Sequence, residues 1–151
     1  MNAIISTVLA GIIGTAGMSI VLWGVSQTGI ANAAMIRAIG SMFTRSYEDS
    51  FGPGLVVHFI AGVIIAFIYV ALISLLAPET LAGTIAYGGM IGLAHGIAFG
   101  FLLVVAVAEH HPLERFRRAG LEVAIAHLIG HVIYGVLMGT IVGLTGIRFF
   151  S

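Results

Sequence analysis

GLVVHFIAGVIIAFIYVALISLLA (residues 54–77) runs for 24 residues without a charged side chain, and LAGTIAYGGMIGLAHGIAFGFLLVVAVA (residues 81–108) repeats the pattern after only Pro78-Glu79-Thr80. A helix needs about 20 predominantly apolar residues to cross the hydrocarbon of a bilayer, and both runs exceed that. A three-residue connection containing a proline forces the second run to turn back antiparallel to the first.

Working outward, two more such runs appear, at about 3–24 and about 121–147. The expected architecture is all-α: an integral membrane four-helix bundle forming one domain over residues 1–151. The first run is read as a retained span, because it is longer than the apolar core of a typical signal peptide. Composition agrees. Of the 151 residues, 60% are hydrophobic and 8% charged, against roughly 25% charged in soluble domains, and mean hydropathy is +1.15.

The other two connections are longer and carry Arg37, Arg45, Arg115, Arg117 and Arg118, leaving Arg148 at the opposite end. Four crossings place both connections on one side, which the positive-inside rule assigns to the cytoplasm. The expected location is the inner (cytoplasmic) membrane, with both termini on the non-cytoplasmic side. Residues 31–45 mix Ile36, Ile39, Met42 and Phe43 with Arg37 and Arg45 at near-helical spacing. This pattern suits an amphipathic helix lying along the membrane surface or a loop packed under a partner subunit.

Several function classes fall away. Net charge is zero and no basic run exists, so nucleic acid is not an expected partner. Without cysteine there is no disulfide, thiolate metal site or cysteine-held cluster. Without lysine there is no Schiff base for retinal or pyridoxal phosphate. No carboxylate or arginine falls deep within a span, which disfavours ion-coupled transport.

Small residues recur at helical spacing. Gly88, Gly92, Gly96 and Gly100 stand four apart in the third span, and Gly135, Gly139 and Gly143 in the fourth. Such glycine zippers let membrane helices approach closely. Gly11, Gly14, Gly17 and Gly24 lie on roughly one side of the first span. The second and fourth spans also match each other, HFIAGVII from His58 beside HLIGHVIY from His127, which suggests two helical hairpins related by a pseudo-two-fold axis. The glycine-rich first helix, amphipathic loop, HFIAGVIIAFIY and closing HLIGHVIYGVLMG together resemble a family of small uncharacterised four-helix bacterial inner-membrane proteins. That resemblance covers nearly the whole chain and implies an architecture without an assigned activity.

Six histidines are the informative chemistry. Polar groups at membrane depth are costly unless paired. His127 and His131 sit one turn apart on one face, in line with the glycine stripe. By helical rise, His58 and His127 fall one to two turns inside the cytoplasmic boundary, with His95 and His131 deeper, roughly 20 Å in. Three readings are open. The imidazoles pair helices as polar glue, worth about 0.6 kcal/mol per contact. Alternatively, His58, His95, His127 and His131 ligate a transition metal. In the third reading one haem b sits between His58 and His127, or between His95 and His131.

His110 and His111 read as interfacial and solvated, and Glu114, Arg118 and Glu122 as an i, i+4, i+8 ion-pair ladder. The expected function is a small accessory or structural subunit of a larger membrane complex, with lipid and other membrane subunits or copies of itself as partners. The alternatives are a histidine-ligated metal or haem redox protein and an oligomeric small-solute channel.

Overall fold

In the computed structural model, which describes residues 2–31, 33–102 and 108–150, the chain is all-helical with no strand among those residues. Helix α1 spans Ala3–Thr28, α2 Met35–Thr44, α3 Phe51–Leu76 and α4 Leu81–Leu102. Two short turns, α5 (Ala108–His110) and α6 (Glu114–Arg117), lead into α7 (Leu121–Thr145). Four of these helices, counting the 3₁₀ turn Glu48–Ser50 with α3, are long and apolar enough to cross a membrane. The expected last turn of the third span, 103–107, lies outside the described residues.

Local chemistry sets the ends. Asn2 Oδ1 accepts from the Ile4 N–H at 3.0 Å and caps α1, and Gly29 closes it in the left-handed conformation at φ 73°. Glu48 and Asp49 meet the positive N-terminal dipole of α3, and Pro53 sits in its first turn, where no N–H partner is lost. Ala77 is left-handed at φ 45°, ends α3 and hands the chain to Pro78.

The four long helices are apolar all round, so packing rather than amphipathicity decides which faces are inside. By far the most extensive pairing is α4 with α7; α1 lies against both α3 and α7. The turn at Pro78–Thr80 reverses the chain as expected, yet α3 and α4 make few contacts with each other. Each has turned its small-residue face elsewhere. Gly11 of α1 abuts α3, where an added Cβ would lie 2.9 Å from Ala66 Cβ and from Val63 Cα, and Gly14 of α1 faces the Tyr134 ring of α7. The fourth glycine of that series, Gly24, has nothing within 4 Å and takes no part in packing.

Large apolar side chains cover the outside of every long helix: Ile20 is 67% exposed, Leu75 68%, Phe101 72% and Leu144 69%. At about 25 cal/mol per Å², that surface strongly favours transfer of the folded chain out of water.

Both long connections meet at one end. The Arg37 guanidinium donates to the Tyr47 carbonyl at 2.7 Å, and the Arg115 guanidinium lies 3.7 Å from the centroid of the Tyr47 ring. Residues 31–45 do contain a helix, and it is clamped to the chain: Gly40 of α2 and Gly54 of α3 lie back to back. At the other end Arg148 donates to the Pro78 carbonyl at 3.1 Å, and Phe149 stacks on Phe67 with centroids 5.9 Å apart.

Two expectations at the loop end are corrected. His111 is buried, 1% exposed; its Nε2 donates to the Ala38 carbonyl at 3.0 Å and its Nδ1 accepts from the Leu113 N–H at 3.0 Å. It staples the second connection to α2 instead of facing solvent. The ion-pair ladder stops at Arg118–Glu114, 2.6 Å. Because the helix breaks between Arg117 and Leu121, Glu122 turns back to accept from the Gly120 N–H at 3.3 Å.

Candidate functional site

Four imidazoles come from three helices, and hydrogen-bond bookkeeping fixes the proton on each. A backbone carbonyl can only accept, so a ring nitrogen beside one must carry the hydrogen. His131 Nδ1 lies 2.7 Å from the His127 carbonyl, and His127 Nδ1 lies 2.7 Å from the Val123 carbonyl. Both are one turn back along α7. Each ring is therefore the Nδ1–H tautomer, and each Nε2 presents a lone pair.

On α3, His58 Nε2 lies 3.0 Å from Ser19 Oγ, whose own hydrogen goes to the Thr15 carbonyl at 2.7 Å. Ser19 must accept, so His58 is the Nε2–H tautomer with a lone pair on Nδ1. On α4, His95 Nδ1 lies 3.1 Å from the hydroxyl of Tyr69, a side chain only 2% exposed. A buried phenol needs an acceptor, and Tyr69 donating to Nδ1 leaves His95 with an Nε2–H to donate.

The structure brings three of these rings together. His58, His95 and His131 line one cavity of about 260 Å³ between α1, α2, α3, α4 and α7, with Tyr134, Phe99 and Met18 among its apolar walls. His95 and His131 pack edge to face, centroids 4.4 Å apart, and Phe99 meets His95 at 4.5 Å. Tyr134 donates to the Gly62 carbonyl at 2.7 Å and packs on Tyr69 at 5.2 Å, holding the floor rigid.

His127 does not join them. It lines a second cavity of about 330 Å³ beneath α2, together with His111 and Arg115, and its Nε2 is buried with no hydrogen-bond partner among the described residues. The helical rule that places His127 and His131 on one face holds for their Cα positions. Each ring leans back onto the carbonyl four residues before it, so the two stay one turn apart along α7, and at each level different neighbouring side chains enclose the ring.

The expected four-imidazole shell is thus not assembled. Among the described residues no three His, Asp or Glu side chains are grouped to hold a metal ion. Nor is either haem arrangement: His58 and His127 line different cavities, and His95 and His131 sit too close together to leave room for a macrocycle between them.

The predicted packing glycines lie where α4 and α7 meet. A Cβ added at Gly88 would strike the Gly135 carbonyl oxygen and lie 2.9 Å from Gly139 Cα. At Gly92 it would strike the His131 carbonyl, at Gly96 it would lie 2.8 Å from Leu128 Cδ1, and at Gly100 3.2 Å from the Ala124 oxygen. A Cβ at Gly139 would strike the Thr84 carbonyl oxygen, and one at Gly143 the Thr84 hydroxyl. This close approach sets the rotation of α7 and aims His131 at His95.

Sequence reasoning passed over Tyr69, Tyr134 and Ser19, which orient the imidazoles. The signal was present in Tyr69: a phenol deep in an apolar helix, in register with Ala66, Val70 and Ile73, requires a polar partner on a neighbouring helix.

No curated protein and no solved structure matches the chain. One family does, over residues 1–148, and the chain belongs to it: the family of unknown function DUF6789.

Proposed function

We propose that this chain is a small accessory subunit of a larger membrane assembly, a four-helix bundle of two pseudo-two-fold-related pairs in the inner (cytoplasmic) membrane. The carrying observation is that α4 has small residues on two faces. Its glycine stripe is occupied by α7 within the chain. The opposite face exposes Ala82, Ala86, Ala94 and Ala98, two on either side of Met90, which is itself 63% exposed. Small residues let a second helix backbone approach closely in lipid, where apolar burial itself drives little association. The glycine zippers thus hold the chain to itself, and the alanine face receives the partner.

Extraction from native membranes in mild detergent tests this. The chain is expected to elute at several times its own 15.7 kDa, and Ala86→Leu with Ala94→Leu together to shift it toward the mass of one chain. Elution of the unaltered protein as a single chain from both detergent and nanodiscs would overturn the proposal.

The arginine distribution supports an orientation with both termini on the non-cytoplasmic side. The chain has no cysteine, so single introduced thiols report cleanly. A membrane-impermeant maleimide is expected to label Glu79→Cys in intact cells and Arg45→Cys only after permeabilisation. The reverse pattern would invert the topology.

A further inference from the structure

The 260 Å³ cavity presents a specific set of hydrogen-bonding groups. His131 Nε2 and His58 Nδ1 offer two lone pairs, and His95 Nε2–H offers one donor, in a wall that is otherwise almost entirely apolar. Neither lone pair has a hydrogen-bonding partner identified among the described residues. Neither nitrogen is sealed off, and an acceptor left without a donor at membrane depth is costly, so the cavity suits a molecule that brings hydrogen to it. A hydroxyl does so and also accepts from His95. A carbonyl does not.

The shape of the site narrows the class further. A dry apolar cavity of roughly 150 Å³ is enough to take a benzene ring, so about 260 Å³ holds a substituted one. Phe99 and Tyr134 offer ring contacts, and Met18 and Met35 offer polarisable sulfur against an aromatic face.

Access is legible too. Of the lining residues, Ala61 on α3 and Phe99 and Leu102 on α4 are themselves exposed, Phe99 at 42% and Leu102 at 49%. The mouth therefore lies between α3 and α4, the two consecutive helices that pack little against each other. The exposed rim there is made of apolar side chains.

We infer that this cavity binds the aromatic hydroxyl head of a lipid-soluble phenol or hydroquinone, admitted sideways between α3 and α4. Its hydroxyl donates to His131 or His58 and accepts from His95, while an apolar tail leaves through the mouth past Ala61 and Phe99. The site discriminates by hydrogen count: a hydroquinone supplies two donors to two lone pairs, whereas the corresponding quinone supplies none.

The test uses the full chain, labelled with ¹⁵N-histidine, in phospholipid nanodiscs, with empty nanodiscs as the partition reference. p-Cresol and a hydroquinone bearing one prenyl unit are expected to move the His58 and His131 ring resonances saturably, the prenylated compound binding at least as tightly. 4-Methylanisole, which keeps the ring and loses the hydroxyl hydrogen, is expected to bind about tenfold more weakly, the scale set by losing one hydrogen bond. Ala61→Phe, which fills the mouth and leaves all three imidazoles in place, is expected to abolish binding, and His58→Phe with His131→Phe to remove the preference for cresol over anisole. Equal affinity for cresol and anisole, no saturable shift, or binding of p-cresol with exclusion of the prenylated ring would each overturn the inference.

Discussion

Leucine at Gly88 or at Gly135 is expected to separate α4 from α7 and remove most of the folded protein. The first atom of the new side chain already strikes backbone: a Cβ at Gly88 meets the Gly135 carbonyl, and one at Gly135 meets the Gly88 carbonyl and lies 3.0 Å from Gly92 Cα. A flexible side chain can move aside, whereas two helical backbones in contact cannot move without parting along their length. Overpacking typically costs about 1–3 kcal/mol where side chains can repack, and here the upper end or beyond is expected.

The consequence extends past stability, because the α4–α7 contact holds His131 beside His95. Thermal unfolding in detergent, followed by circular dichroism, measures the loss. Gly24→Leu is the control, since nothing lies within 4 Å of that position, and it should melt with the unaltered protein. Unchanged melting of Gly88→Leu would show that the two helices do not meet as described.

Leucine at Gly54 is expected to release α2 from the start of α3 while leaving the long helices packed. Its added Cβ would strike the Ile36 carbonyl, and Gly40 on the facing helix is closed off in the same way by Ser50. Ser41 reports the event. It is fully buried, donates to the Arg37 carbonyl at 2.6 Å and lies 3.5 Å from His111 Nε2. In a chain otherwise free of cysteine, Ser41→Cys should resist maleimide in the unaltered background. With Gly54→Leu it should label at least tenfold faster. Equal labelling in the two backgrounds would mean that α2 is not held by the glycine crossing.

Much of this architecture was legible in the residues. Runs such as 54–77 and 81–108 announce long helices because length and hydropathy are local properties, and Ala77-Pro78 marks where α3 must stop. The glycines four apart in α4 and α7 announced a close contact, since residues without a bulky side chain let backbones approach. Other features were not legible. His111 sits in a polar stretch beside Pro112 and looks solvated until α2 is folded against it. Glu122 looks like the third rung of a ladder until the helix is seen to break before Leu121.

The sequence by itself determined how many long apolar helices there are, where they turn, and that α4 and α7 each carry a stripe of small residues. Only the tertiary structure decided which imidazoles share a cavity, which nitrogen of each bears the hydrogen, and that α3 and α4 leave a mouth between them. In a water-soluble helix an apolar stripe against a polar face tells which side is buried. Helices that are apolar on every side carry no such contrast, so their rotation is set by where backbones fit closest, and that depends on the partner helix rather than on the segment's own pattern.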